Sequence, residues 1–125
     1  MLAEHHDLEA EQAFQSVVAV IRANLKDLGF LLANALLDSA KAALARGRFE
    51  DASRFAQEAL KEDLRKARDP RASADVGEAS LLLAKARKAL DDAPGAQAAA
   101  HQAAVSLAAS LGPDHALTRD ALALQ

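Results

Sequence analysis

The chain has 125 residues, enough for one domain, and half of them are apolar while only 3% are aromatic. It has no cysteine, which excludes disulfides, thiol catalysis and cysteine-ligated zinc. A formal net charge of -3 gives no global case for nucleic-acid binding.

The charge is unevenly placed. Residues 1–27 and 89–125 each carry an excess of three carboxylates, and residues 28–88 an excess of three cations. The opening MLAEHHDLEAE is acidic and lacks the basic-then-apolar layout of a signal peptide. No apolar run reaches the ~18 residues of a membrane span. These features predict a soluble, cytoplasmic protein that binds neither membrane nor nucleic acid.

In chain order, residues 4–28 form the first predicted helix, with Ala10, Phe14, Val17, Val18, Ile21, Leu25 and Leu28 at helical spacing. Glu4, Asp7 and Glu9 suit the positive end of its dipole. His5 and Glu9 stand four residues apart, but adjacent helical residues such as His5 and His6 point ~100° apart. No further ligand accompanies them, so no metal site is expected.

Gly29 marks a break. The second helix spans residues 30–46, with Leu36, Leu37, Ala40, Ala43 and Leu44 on its apolar face. Gly47 stops it by reaching the left-handed conformation. Phe49, Ala52, Ala56, Ala59 and Leu60 restart the pattern in a third helix over 49–68. So short a corner makes the two helices pack antiparallel, with Ala40 and Ala52 allowing close approach. Along the third helix, Glu58 is spaced to pair with Lys61, and Glu62 with Arg65 and Lys66.

The Asp69-Pro70 step ends that helix, because the residue before proline avoids helical angles. Residues 71–76 read as a polar connection with Ser73 and Asp75 as candidate N-caps. The fourth helix runs to Leu90, with Leu82, Leu83, Ala86, Ala89 and Leu90 on one face. Residues 91–95, DDAPG, read as a turn. The fifth helix spans 96–111, with Ala99, Ala103, Val105 and Leu107 apolar. Gly112-Pro113-Asp114 stops it and opens a sixth helix over 115–125.

The helices repeat. Leu36, Leu37, Ala40, Ala43 and Leu44 align with Leu82, Leu83, Ala86, Ala89 and Leu90 at an offset of 46 residues. Ala52 and Leu60 align with Ala99 and Leu107 at 47. Ala10, Phe14, Val17 and Val18 precede Ala52, Ala56, Ala59 and Leu60 by 42.

Ala40, Gly47, Phe49, Ala52, Ala59 and Leu60 occupy the signature positions of the tetratricopeptide repeat, which this stretch resembles. The long period, and Leu111-Gly112-Pro113-Asp114-His115 followed by Thr118, are similar to its long-helix, kinesin-light-chain-like branch, common in bacterial proteins. The resemblance implies an all-α fold: a right-handed solenoid of antiparallel helix hairpins, about six helices in one domain. Residues 1–28 are then an unpaired helix B, 30–70 and 72–111 two repeats, and 113–125 a partial helix A.

The resemblance also implies a non-enzymatic module that binds a protein or peptide in a groove lined by the helix A row. The family's groove positions fall on Asn34, Leu37, Asp38, Lys41 and Leu44 in one repeat and on Ser80, Leu83, Arg87 and Leu90 in the next. Lys41 and Arg87 are its expected cations, suited to an acidic or C-terminal carboxylate ligand. Asn34 and Ser80 are its expected hydrogen-bonding groups.

Two other readings stand beside it. One is an oligomerisation module that buries Phe14, Val17 and Val18 at one end and Leu117, Leu122 and Leu124 at the other. The second is a signalling bundle with a phosphotransfer histidine at His101, although no Lys or Arg occurs between Ala89 and Leu117 to steady a phosphoryl group. The basic run Lys61, Arg65, Lys66, Arg68 and Arg71 is interrupted by acids and lacks aromatics for base stacking. No phosphate loop, nucleophile triad or paired-carboxylate set is present, so neither catalysis nor a cofactor is expected.

Overall fold

A computed structural model describes the backbone of residues 2–24 and 29–125, and the side chains of 8–20 and 31–125. Six α-helices account for most of it: α1 (Leu2–Asn24), α2 (Gly29–Ala45), α3 (Phe49–Lys66), α4 (Ala74–Ala89), α5 (Ala93–Leu111) and α6 (Ala116–Leu124). A 3₁₀ turn, Pro70–Ala72, lies between α3 and α4, and no strand occurs among the described residues. The chain is therefore all-α.

The helices pack in sequence order, each on the next, and α2 also touches α4 as α4 touches α6. Among the described residues α1 and α6 form no packing interface. The core is built largely from alanine. Ala43, Ala56, Ala59, Ala79, Ala86 and Ala100 are fully buried, with Leu36 and Leu81 among the largest enclosed side chains. Ala40 and Ala52 are both buried, as close approach of α2 and α3 requires. Gly77 does the same for α4 and α5: an added Cβ would lie 2.6 Å from the Leu107 side chain.

The two hairpin corners close alike. Past α2, Arg48 N–H donates to Ala43 O at 2.9 Å and Gly47 N–H to Leu44 O at 3.1 Å, with Gly47 at φ +77°. This is the paired bond pattern that satisfies the last carbonyls of a helix. Past α4, Asp92 N–H donates to Arg87 O at 2.9 Å and Asp91 N–H to Lys88 O at 3.1 Å. Here Asp91, not a glycine, takes the positive φ of 61°.

Boundaries differ from the sequence expectation in two places. Residues 93–95 are not turn but the first turn of α5. Asp92 Oδ1 accepts from Gly95 N–H at 3.1 Å, and Pro94 falls where a helix has no N–H partner to lose. The expected connection over 71–76 is also shorter. Ser73 Oγ caps α4 by accepting from Val76 N–H at 3.2 Å, so Asp75 is helical rather than the cap. α3 ends at Lys66, Asp69 Oδ1 accepts from Arg71 N–H to open the 3₁₀ turn, and Ser106 Oγ of α5 donates to Pro70 O at 2.6 Å.

Burial corrects the predicted faces at their edges. Ala89 and Leu90 of the fourth helix, and Val105 of the fifth, are exposed. The expected extension of the first helix through residues 25–28 lies outside the described residues.

Candidate binding face

α2 touches α4 and α4 touches α6, so these three helices form a row of neighbours. The polar side chains left on that row are the candidate site. Asn34 is exposed and Asp38 half-buried on α2. Lys41, half-exposed, reaches across to Glu78 of α4, Nζ to Oε1 at 3.4 Å. One step further along, Lys85 of α4 faces Asp120 of α6 at 3.9 Å. Each cation thus bridges one helix of the row to the next. Solvent screens such pairs, so each contributes ~0–1 kcal/mol to stability and leaves both groups open to exchange partners.

The expected groove residues divide. Leu37 and Leu83 belong to the core, Leu83 being 2% exposed, and neither lines an open groove. Ser80 is fully buried, so it cannot meet a ligand backbone; its Oγ has no hydrogen-bond partner. Leu44 is half-buried against the same core. Arg87 is half-buried and turns away, donating Nη1–H to Gly95 O at 3.3 Å across the α4–α5 corner. Leu90 is exposed but lies beside Gly47, Arg48 and Phe49 in a shallow depression of about 350 Å³. Asn34, Asp38 and Lys41 remain on the face. Glu78, Lys85 and Asp120 join them, though sequence spacing does not mark them.

The other expected surface also divides. Val17 is 47% and Leu122 52% exposed, whereas Val18 is buried in the core. Phe14 is half-buried, and Leu117 and Leu124 pack against the α4–α5–α6 cluster. His101 is exposed, its Nδ1 2.9 Å from Gln125 Nε2. The basic run at the end of α3 is broken by ion pairs: Arg65 with Glu62 at 2.7 Å, and Arg71 with Asp69 at 3.9 Å.

One charged group was not anticipated. Glu11 of α1 is 1% exposed, yet it is an ion-pair partner: Arg46 Nη1 lies 2.6 Å from Oε2 and Arg48 Nε 3.9 Å from Oε1. Gln15 Nε2 donates to the same carboxylate at 3.2 Å. The α2–α3 corner places both arginines there, which no pattern local to α1 reveals.

Among the described residues no group of three or more His, Asp or Glu is placed to hold a metal ion, and the side chains of His5 and His6 lie outside them. No described helix is long and apolar enough to cross a membrane. No family model, curated protein or solved structure matches the chain.

Proposed function

We propose that the chain is a tetratricopeptide-like helical solenoid that binds a protein or peptide on the α2–α4–α6 face. The observation that carries this is the stacking of helices in sequence order with alternate helices adjacent, the arrangement that lays one helix of each hairpin side by side. Repeat architectures use the extended surfaces so formed for binding. Asn34, Asp38, Lys41, Glu78, Lys85 and Asp120 are the contact residues in this reading, on a rigid alanine-packed base. The role is non-enzymatic, and the setting that of a soluble cytoplasmic module.

The test uses peptides selected from a random displayed library, measured by fluorescence anisotropy. Lys41→Glu/Lys85→Glu should weaken them about tenfold or more, an effect of ~1.4 kcal/mol, with the melting temperature unchanged. Both cations are substantially exposed, which keeps stability out of the comparison. Peptides that bind wild type and variant equally would overturn the assignment.

The exposure of Val17 and Leu122 favours a second reading, self-association through α1 and α6. Light scattering across a dilution series tests it: a mass that falls on dilution, and falls further in Val17→Ser/Leu122→Ser, supports assembly. A constant monomer mass removes it.

A further inference from the structure

Three helices are capped by a side chain that accepts a backbone hydrogen bond: α4 by Ser73, α5 by Asp92 and α6 by His115. In α6 the acceptor is a ring nitrogen, His115 Nδ1, which takes Leu117 N–H at 3.1 Å. Imidazole differs from the other two caps because it ordinarily changes charge between about pH 5 and 8. The bond needs a bare Nδ1, with the ring proton on Nε2. A proton on Nδ1 and the bond from Leu117 exclude one another. The imidazolium so formed would also stand at the positive end of the helix dipole.

α6 depends on its cap more than a long helix would. It has nine residues, and so short a helix is marginal without caps and packing. Its seat is the fully buried Ala121, with Leu117 and Leu124 packed on the core of Leu81 and Leu107. Two other side-chain bonds tie it down. Thr118 Oγ1 donates to Gly112 O at 2.8 Å, a bond between groups that do not titrate. Gln125 Nε2 lies 2.9 Å from His101 Nδ1 of α5. If that ring gains a proton, the amide can turn over and offer its oxygen. A backbone N–H has no oxygen to offer, so the His115 bond is the one that acid breaks.

We propose that α6 is a proton-released latch: bare His115 Nδ1 caps the helix and seats it on α4 and α5, and a proton on Nδ1 uncaps it and loosens the seat. By linkage, acid favours the loosened form. In the chain, Asp114 precedes His115, and Arg119 and Asp120 follow it by about one turn. From α5 the one titratable side chain is His101. On α4, Lys85 stands 3.9 Å from Asp120, while Glu78 and Arg87 are engaged by Lys41 and Gly95 O. Loosening α6 frees Lys85 from Asp120 and uncovers the core around Leu107. That end of the helix row is therefore firm at neutral pH and loose on the acid side, whatever the row binds.

The experiment is hydrogen exchange on the full chain at about pH 5.5 and about pH 7.5, corrected for intrinsic exchange rates. The reporters are the amides of Arg119, which donates to His115 O at 3.0 Å, and of Ala121 in the next turn. Wild type should be about fivefold less protected at the lower pH, the size of a lost cap. His115→Asn keeps a capping oxygen that does not titrate in this range, and should hold the high protection at both pH values. His115→Ala should show the low protection at both, and His101→Gln should keep the wild-type response. Equal protection at both pH values in wild type overturns the proposal. So does a response that survives His115→Asn or is lost in His101→Gln, or a His115→Ala variant protected like wild type. Should a variant not fold, the nitrogen-15 shifts of the His115 ring in wild type at the higher pH decide. A proton on Nε2 supports the latch, and one on Nδ1 overturns it.

Discussion

Two residues do the same work at the two hairpin corners, at different cost. Gly47 takes its positive φ freely, whereas Asp91 at φ 61° places a Cβ against its own carbonyl. The penalty for an L-residue there is ~1–2 kcal/mol, reduced for aspartate. Asp91→Gly should therefore stabilise the fold by about 0.5–1 kcal/mol, and Gly47→Ala should destabilise it by about 1 kcal/mol, both read from urea denaturation midpoints. A destabilised Asp91→Gly would show that the aspartate side chain supports the corner. Ser80 offers a second test. Its hydroxyl is buried without a partner, and such a group costs ~1–3 kcal/mol to desolvate. Ser80→Ala keeps the volume within one atom and should raise stability by about 1 kcal/mol. A loss on that substitution would mean that a water or neighbour satisfies the hydroxyl.

At the scale of the element, α1 is held to the corner of the next hairpin by a charge as well as by Val18. Glu11 is enclosed, while Arg46 keeps 20% and Arg48 50% of its side chain exposed. This asymmetry sets an order for mutations. Removing Arg46 leaves a buried carboxylate with the neutral Gln15 amide and the more distant Arg48, a case that costs about 3 kcal/mol. Removing Glu11 leaves two arginines that can turn to water, so Glu11→Ala should cost about half as much. Thermal melts of the two variants check the order, and equal losses would argue that packing, not charge, holds the helix.

The same element shows what is legible in a sequence. The stripe from Ala10 to Val18 announces a helix because period 3.6 is local information. The corner at Gly47 is legible because glycine has a steric meaning of its own. Glu11 is not, since nothing within α1 says that Arg46 will stand 35 residues later at its side. The start of α5 is misread for a related reason. Asp-Ala-Pro-Gly suits a turn and the first turn of a helix equally, and only the Asp92 cap decides. The proposed face suffers most. The resemblance puts Leu37 beside Asn34 and Lys41 on α2, and Ser80 and Leu83 at matching positions of α4, but the helix crossing decides which of them meet the neighbouring helix and which meet solvent. Glu78 and Asp120 appear only once that crossing is known.

At the scale of the molecule, order of packing governs how stability is shared. Among the described residues α6 packs chiefly on α5 and α4, and the smaller core it completes contains Leu81, Ala103, Ala104, Leu107 and Ala121. The larger core runs from Val18 of α1 through α2, α3 and α4 to Ala99 and Ala100 of α5, and Leu124 of α6 packs against the edge of both. In a closed bundle, damage to the last helix reaches the first, because the two share a core. In a linear stack each unit answers to its neighbours, and damage fades with distance. Ala121 is fully buried at the α6 end, and an unpaired carboxylate there is intolerable without rearrangement. Ala121→Asp in the full chain should therefore abolish exchange protection in α6 and lower it in the second half of α5. Amides of α2 and α3 should keep protection within about threefold of wild type, a difference of under ~0.7 kcal/mol. Loss of protection in all helices together would mean that the two cores unfold as one unit. The helix row would then derive its rigidity from global cooperativity, not from its nearest neighbours, and a ligand bound at α2 would sense a change at α6. Confinement of the loss to α5 and α6 would leave Asn34, Asp38 and Lys41 in place, so that half of the proposed face keeps its shape when the other half is lost.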